Sequence, residues 1–295
     1  MIAVLTGGNS SERTVALWSA ETVVAALRSL KLDHQIIDCA EYNWQERISY
    51  IQPQLVILAL HGKFGEDGQI QKILEKAGIP YTGSGPMACR LSWNKLEAKL
   101  AVQKLGFQTP KWSVDGSANQ FPDPPVVVKP SQEGSSFGVT IVRNHDQLLP
   151  AIRSAKKFGP EVLVEELIGG TELSCGVIDL RGSVEALPVI EIVPKNEFFD
   201  FKAKYDGISC DEIVPARISD DMTKQIQSFS EEIFRQFGCR HYARIDWMLR
   251  DKTPYFLELN VLPGLTKNSL INKELLKAGI SFESFIELLT KRALF

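Results

Sequence analysis

The segment from Arg244 to Asn260 most constrains how this chain can fold. It reads RIDWMLRDKTPYFLELN, in which two strand-like runs are joined by a short polar turn. A hairpin centred near Lys252 places Asp246 opposite Glu258 and Arg244 opposite Asn260. A shift of one residue would set carboxylates against leucines, so the pattern itself specifies the register.

Side chains alternate between the two faces of a strand, so this register predicts one polar and one apolar face. The polar face carries Arg244, Asp246, Glu258 and Asn260. The apolar face carries Ile245, Trp247, Leu257 and Leu259. The same register predicts that Met248 lies opposite Phe256.

The two facing carboxylates admit two interpretations. Like charges directly opposite each other repel, and a hard divalent cation such as Mg²⁺ would turn that repulsion into a site shared with substrate phosphates. Alternatively, the face is solvated and Arg244 neutralises Asp246, as on many antiparallel strands. The hairpin alone favours the solvated face, so the choice depends on the rest of the chain.

Composition excludes several classes of protein. The chain has 295 residues, of which 44% are hydrophobic and 23% charged, as in an ordinary soluble globular protein. A net charge of -3 without a basic block argues against nucleic acid as a partner. No apolar run approaches the length of a membrane span. The start, MIAVLTGG, lacks the charged region and long apolar core of a signal peptide.

The cysteines and histidines argue against a disulfide framework and against a zinc site. The cysteines are scattered, odd in number and without metal-ligand spacing: Cys39, Cys89, Cys175, Cys210 and Cys239. The histidines are equally dispersed. Reduced thiols in a cytoplasmic protein therefore fit best.

Strands alternate with helices over the first part of the chain. This alternation predicts an N-terminal Rossmann-like parallel sheet within a mixed α/β and α+β fold. Breaks in the pattern divide the chain into an N-terminal domain over 1–84, a central domain over 85–166 and a C-terminal domain over 167–295. Within the central domain, one continuous helix is predicted over Leu91–Leu105.

Glu12 follows the first predicted strand and a glycine-rich turn. One interpretation is a capping box, with Asn9 as the N-cap and Glu12 at the third position of the next helix. The other is that Glu12 faces the amine of a ligand, because open α/β sheets bind ligands at the carboxyl ends of their strands. His61 follows the third strand at the same edge, so we expect it to converge with Glu12 on one crevice.

A polar loop over 130–138 follows Lys129 and reads PSQEGSSFG. A loop rich in glycine and hydroxyl donors suits a lid over phosphates, and the chain contains no Walker sequence. Lys95 and Lys204 are further basic candidates. Gly264 follows the hairpin, and its backbone N–H could face an oxyanion beside Arg244.

Six motifs, in this order and spacing, resemble those of D-alanine–D-alanine ligases, which have the three-domain ATP-grasp architecture. They are GGNSSER from Gly7, HGKFGEDGQIQ from His61, KPSQEGSSFG from Lys129, KY from Lys204, RID from Arg244 and ELNVLPGLTKNSL from Glu258. The resemblance covers nearly the whole chain. It implies that ATP phosphorylates the carboxylate of one D-alanine and that the amine of a second attacks the acyl phosphate.

The same resemblance implies which residues bind ATP and its metals. The lysines that would contact the phosphates are Lys95, Lys129 and Lys204. The acids that would hold adenine and ribose are Glu165 and Glu172. Two Mg²⁺ (or Mn²⁺) ions would be held by Asp246, Glu258 and Asn260.

It also implies roles around the amino-acid substrates. Glu12 would hold the ammonium of the first substrate, with His61 nearby. The developing oxyanion would be stabilised by Arg244 and the N–H of Gly264. The carboxylate of the second substrate would be seated by Ser269 and Leu270. The residues that would tie the lid loop to Glu12 are Ser135 and Tyr205.

The sequence also allows three alternative functions. One is a related ligase with another second substrate or an ester product, although Tyr205 resembles the dipeptide-forming type. Another is a nucleotide-binding regulatory module without turnover. The third is a nicotinamide oxidoreductase, which the missing dinucleotide fingerprint disfavours. A homodimer is the default expectation for an oligomer of such a chain.

Overall fold

The computed structural model describes residues 1–115, 123–195 and 210–294. Three β-sheets lie within these ranges, one parallel and two antiparallel. Across the same ranges, every helix is too short or too polar to cross a lipid bilayer.

The first sheet is parallel, as predicted for the N-terminal Rossmann-like unit. Its strands run in the order β2-β1-β3, and they are β1 (Ile2–Thr6), β2 (His34–Asp38) and β3 (Leu55–Leu58). The helices between and after them are α1 (Arg13–Ser29), α2 (Trp44–Ile51) and α3 (Gln69–Lys76). Since β1 and β3 are parallel neighbours, Glu12 after β1 and His61 after β3 both lie at the carboxyl edge of the sheet, where open α/β sheets bind ligands.

Of the two interpretations of Glu12, the capping box is not found at the start of α1. Glu12 itself occupies the N-cap position, and its side chain makes no capping hydrogen bond. Gly7 and Gly8 both have positive φ, so the chain turns before the helix begins. The Glu12 carboxylate accepts a hydrogen bond from Ser135 instead, so it does not cap the helix.

The single helix predicted over Leu91–Leu105 is wrong, because the chain breaks there into α4 (Pro86–Trp93) and α5 (Lys95–Lys104). Asn94 adopts an extended conformation between them, and its side chain accepts from the backbone N–H groups of the second and third helical residues. Asparagine caps helices well because it satisfies these unpaired donors. The break makes Lys95 the first residue of α5.

The second sheet is small and antiparallel, and has the strand order β4-β7-β5-β6. Its strands are β4 (Trp112–Val114), β5 (Val126–Pro130), β6 (Thr140–Val142) and β7 (Val162–Glu166). A 3₁₀ turn (His145–Gln147) leads into α6 (Leu148–Ala155), which packs on the sheet and shares a separate valine-rich core with its strands. The predicted lid loop connects β5 to β6.

The third sheet is antiparallel and has the order β11-β10-β8-β12-β13, with β9 paired to β8. Its strands are β8 (Thr171–Ile178), β9 (Glu185–Ala186), β10 (Ile190–Pro194), β11 (Cys210–Ile213), β12 (Tyr242–Arg250) and β13 (Thr253–Asn260). The helices of this part are α7 (Asp220–Gln236), α8 (Leu270–Lys277) and α9 (Phe282–Leu294).

The cores link the three sheets. Residues of α8 and α9, such as Leu275 and Phe285, are buried in the same cluster as β1 and β3. Ala98 and Val102 of α5 are buried with the apolar face of β12 and β13. The C-terminal part therefore contacts the first sheet through its helices and the central helices through its strands. The domain boundaries after residues 84 and 166 stay a prediction.

The hairpin has the predicted register at its open end. Arg244 pairs with Asn260, and Asp246 with Glu258. Beyond this point the register shifts, because a β-bulge lies between Asp246 and the next residue.

The bulge overturns two predictions about the hairpin. Met248 lies opposite Tyr255 and not opposite Phe256, which pairs with Trp247. Leu257, the extra residue, lines a cavity and does not join the buried face. Phe256 takes its place there, fully buried. One inserted residue changes which side chains of β13 face the core, since the alternation has a period of two.

We expect Trp247→Ala to lower the free energy of unfolding by about 3–5 kcal/mol. Trp247 is fully buried, contacts three phenylalanine rings and donates its indole N–H to Ser230 Oγ at 3.0 Å. Tyr42 is 98% exposed, so Tyr42→Ala should change stability by less than about 0.5 kcal/mol. Urea unfolding of both variants measures the difference, and equal effects would contradict this assignment of the core.

Candidate functional site

A cavity of about 1020 Å³ lies where the three sheets meet. Every predicted site residue that the structure describes lines it: Glu12, His61, Lys95, Lys129, Ser135, Glu165, Glu172, Arg244, Asp246, Glu258, Asn260, Gly264, Ser269 and Leu270. Lys204 and Tyr205 lie outside the described residues. Residues far apart in the sequence are thus brought to one enclosed space.

Asp246 organises the polar face of the hairpin. Arg244 binds it through two hydrogen bonds, from Nε to Oδ1 at 2.9 Å and from Nη2 to Oδ2 at 2.8 Å. Ser174 Oγ on β8 donates to Oδ1 at 2.8 Å, and Asn260 Nδ2 on β13 donates to Oδ2 at 2.9 Å. Burial alone would lower the pKa of Arg244, but Asp246 more than offsets this and raises it.

The ion pair expected for a solvated face is therefore present, but its carboxylate is buried. Asp246 is 8% exposed and forms part of the cavity wall. Arg244 is held on the same wall two residues away, so its position is fixed by the carboxylate. A buried, bidentate guanidinium–carboxylate pair gives directional order that a surface pair lacks.

The donor set of the hairpin fits a hard cation that also binds substrate oxygens. Glu258 faces Asp246 across the strands, and Asn260 donates through its nitrogen, which leaves its amide oxygen available. Among the described residues, no group of three or more His, Cys, Asp or Glu side chains could hold a metal alone. Two carboxylates and one amide oxygen suit Mg²⁺ only when phosphates or water complete its coordination.

A second buried charge cluster lies on the wall formed by the small sheet. Glu165 is 2% exposed and is bound by two lysines. Lys129 Nζ lies 2.8 Å from Oε2, and Lys99 Nζ lies 3.1 Å from Oε1. Burial opposes the ionised carboxylate, but the two lysines outweigh it and hold the pKa of Glu165 below its ordinary value.

The lid loop is joined to the first sheet and to α5. Ser135 Oγ donates to Glu12 Oε1, which confirms the predicted contact. Ser11 Oγ donates to Glu133 Oε1 at 2.8 Å, and Lys95 Nζ donates to the Glu133 carbonyl. A Cβ at residue 134 would lie 2.5 Å from Glu12 Oε2, so any larger residue there would displace the Glu12 carboxylate. The loop over 130–138 covers the cavity in this conformation.

His61 connects the first sheet to the loop after the hairpin. Its Nδ1 lies 3.1 Å from the Leu262 carbonyl, which can only accept, so in the neutral ring the proton lies on Nδ1. Nε2 then accepts from Ser19 Oγ at 2.9 Å. The N–H of Leu265 in turn donates to Ser19 Oγ at 3.2 Å. This chain of hydrogen bonds positions the segment that contains Gly264.

The N-terminus of α8 opens into the same cavity. Ser269 is its N-cap residue, and Leu270 is the first helical residue. Within the described ranges, the buried Ser269 Oγ has no hydrogen-bond partner. A helix N-terminus with an unused hydroxyl is suited to an anion such as a carboxylate.

Sequence reasoning missed three residues near the site. Lys99 lies one helical turn after Lys95, and Ser174 lies directly opposite Asp246 on β8. The i, i+4 spacing of the lysines was a usable signal for the first. Ser174 and Glu274 could not be found in this way, because only the sheet order brings β8 beside β12 and α8 beside β8.

Models of known protein families match most of the chain. The model of the D-ala D-ala ligase C-terminus matches residues 108–291, and that of the N-terminus matches residues 40–84. This chain belongs to the D-alanine–D-alanine ligase family. Such a ligase from Desulforamulus reducens is 39% identical over 99% of this chain and 98% of its own length.

Solved structures of the family have the same fold. A D-alanine–D-alanine ligase from Bacillus anthracis complexed with ATP is 32% identical and covers 99% of this chain and 96% of its own, with a TM-score of 0.85. The VanG D-Ala:D-Ser ligase from Enterococcus faecalis is 29% identical, covers 99% and 98%, and has a TM-score of 0.83. The predicted ATP-grasp architecture is therefore confirmed.

Glu274 is a fully buried carboxyl group behind the hairpin. Its Oε1 accepts from the Gly176 N–H at 3.0 Å, while Oε2 has no hydrogen-bond partner among the described residues. Burial raises its pKa to about 8, although this backbone hydrogen bond and Arg244 both act to lower it. The folded protein thus binds this proton more tightly than the unfolded chain does.

We expect Glu274→Gln to make the protein more stable than the wild type at pH 8 but not at pH 4. Between the unfolded pKa of 4.5 and the folded value of about 8, only the unfolded chain ionises Glu274, so wild-type stability falls as pH rises. The difference should grow by up to about 1.4 kcal/mol per pH unit in that window. Urea unfolding from pH 4 to 9 measures it.

A matched control for this prediction is Glu283→Gln, which changes an exposed glutamate on α9. It should leave the pH dependence of stability nearly as in the wild type. If Glu274→Gln and Glu283→Gln gave the same pH dependence, Glu274 would not be neutral in the fold.

Proposed function

We propose that this protein joins two D-alanine molecules in an ATP-dependent reaction that supplies peptidoglycan precursors. The observation that carries the proposal is the polarity of the cavity between the three sheets. The cavity is lined by Glu12 at the edge of the first sheet, by Lys95 and Lys129 of the central part, and by the polar face of the hairpin with Arg244. This arrangement suits a reaction between an ammonium, a carboxylate and a nucleotide triphosphate.

ATP would bind between the small sheet and the large sheet. Lys95 and Lys129 line this region and would contact its phosphates, together with Lys204. Glu165 on β7 of the small sheet and Glu172 on β8 of the large sheet both line the cavity and would hold adenine and ribose. The ATP complex of the Bacillus anthracis ligase supports a nucleotide site in this fold.

Asp246, Glu258 and Asn260 would hold two Mg²⁺ (or Mn²⁺) ions. When bound, such ions neutralise phosphate charge and so assist transfer of the γ-phosphoryl group. The protein itself holds the Asp246 carboxylate in place through Ser174 and Arg244. Fixed ligands cost little reorganisation during the reaction.

The first step activates a poor electrophile. Glu12 would bind the ammonium of the first D-alanine, whose carboxylate oxygen attacks the γ-phosphorus and releases ADP. The product is D-alanyl phosphate. Ser135 joins the closed lid to Glu12, as Tyr205 would in the proposed reaction, and the lid would keep water from this reactive mixed anhydride.

The second step forms the peptide bond. The amine of the second D-alanine attacks the carbonyl carbon, loses a proton, and phosphate leaves. Ser269 and Leu270 at the start of α8 would hold the carboxylate of that substrate. Arg244 and the N–H of Gly264 would stabilise the oxyanion, and His61 fixes the segment of Gly264 through Leu262.

A ligase that uses a different second substrate is the second candidate. The VanG D-Ala:D-Ser ligase shares this fold, and the loop after Asn260 borders the second subsite. Tyr205 favours an amine nucleophile but lies outside the described residues. We further propose a cytoplasmic homodimer, since the reaction needs ATP and soluble oligomers are most often two-fold symmetric.

We expect phosphate release from ATP that depends on D-alanine and yields D-alanyl-D-alanine and ADP. Purified protein is incubated with ATP, Mg²⁺ and D-alanine alone or with D-serine, D-lactate or L-alanine, and the products are identified by mass spectrometry. A mixed product in preference to the D-alanine dipeptide would favour the second candidate. Phosphate release that no amino acid affects would reject both.

We expect Asp246→Asn and Glu258→Gln each to reduce Mg²⁺-dependent turnover at least about 100-fold, because each removes a charged metal ligand. Steady-state rates across a range of Mg²⁺ concentrations measure the effect. Asp211→Asn is the matched control, because this acid lies on edge strand β11, pairs with Lys195 and does not line the cavity. Near-normal rates in both site variants would remove the metal assignment.

A further inference from the structure

Lys99 is a fully buried lysine that does not line the cavity. It lies on α5, one helical turn after Lys95, and reaches Glu165 from the side opposite the cavity. A buried ammonium is costly unless it is paired, so its position calls for a physical reason.

The surroundings of Lys99 form a closed set of partners. Its Nζ lies 3.1 Å from Glu165 Oε1 and donates to Thr109 Oγ1 at 2.7 Å. The Thr109 hydroxyl donates a hydrogen bond to the Phe256 carbonyl at 2.9 Å, so its oxygen can only accept from the lysine. The Trp112 ring lies 5.6 Å from Nζ. The ammonium is therefore fixed against one oxygen of Glu165.

The other oxygen of Glu165 is bound by Lys129, which does line the cavity. With Lys99 present, one carboxylate is shared between two lysines, and the cluster carries one net positive charge. Without Lys99, the pair of Glu165 and Lys129 would be neutral, because the charge of Lys129 would be fully compensated by Glu165. An anionic ligand in the cavity would then meet far less positive potential.

We propose that Lys99 is a positioning residue for ATP: it holds Glu165 from behind, so that Lys129 keeps its positive charge available to the phosphates. This inference rests on the proposed function, because it concerns the nucleotide of the same reaction. It assigns to Lys99 an effect on ATP affinity that acts through Glu165 and without contact with ATP.

The charge state of Lys99 should then control ATP affinity. Burial lowers its pKa to about 8, with Glu165 acting to raise it and Lys129 to lower it. Glu258 on β13 is the further charged group that acts on it, and it also raises the pKa. As pH rises through about 8, Lys99 loses its proton and the cluster becomes neutral, so ATP should bind more weakly.

The test is Lys99→Met, which keeps the length of the side chain and removes the charge. At pH 7 we expect the KM for ATP to rise about tenfold while kcat at saturating ATP changes less than about twofold. In the wild type the KM for ATP should increase above pH 8, whereas in the variant it should not depend on pH between 7.5 and 9.5. Unchanged KM values and pH profiles would overturn the inference.

A second variant keeps the test decisive if Lys99→Met does not fold. Thr109→Val preserves shape but removes the acceptor of the ammonium, which should lower the pKa of Lys99. The rise in the KM for ATP should then begin at lower pH than in the wild type. A rise that begins at the same pH in both proteins would contradict the role of Lys99.

Failure of the proposed function can be told apart from failure of this inference. If the wild type releases no phosphate with D-alanine, ATP affinity is measured directly by titration calorimetry at the same pH values. Weaker ATP binding by Lys99→Met would still support the inference, and equal affinities would reject it. Thermal unfolding of each variant separates these effects from a loss of structure.

Discussion

Asp246 is the residue on which the arrangement of the site depends. It lies on β12, between β8 and the edge strand β13, and receives hydrogen bonds from β8 through Ser174, from β12 itself through Arg244 and from β13 through Asn260. One carboxylate thus fixes three neighbouring strands at the point where they face the cavity. Because two of its partners are side chains of the site, the same bonds that order the sheet also orient Arg244 and Asn260.

On the cavity wall formed by the small sheet, a buried carboxylate is likewise held by several partners, but the net charge there is positive. There a carboxylate, Glu165, is buried between Lys99 and Lys129, so the wall is cationic where the hairpin is anionic. In the proposed function, a triphosphate with its cations would lie between these two walls, each of which compensates one part of its charge. The lid loop is joined to the first sheet by the hydrogen bond from Ser135 to Glu12. The proposed chemistry thus depends on charges that the fold holds in fixed positions around one cavity.

The errors of the sequence analysis have local physical causes. The bulge after Asp246 inserts Leu257 into the cavity wall, and strict alternation could not reveal it. Asn94 separates two helices because its side chain caps the second, although apolar spacing alone runs across it. Glu12 had two compatible roles in the sequence. The partner that decides between them, Ser135, lies 123 residues away.

Local pattern and motifs in a fixed order were enough to predict the parallel first sheet, the register of Asp246 with Glu258 and the family of the chain. The pairing of groups inside the cavity depends on tertiary packing, which local pattern does not contain. Lys99, Ser174 and Glu274 gain their partners from strands and helices distant in the chain, so their burial and charge could not be obtained from local spacing. The hairpin could be placed in advance, but the balance of charge around it depends on packing between the three sheets.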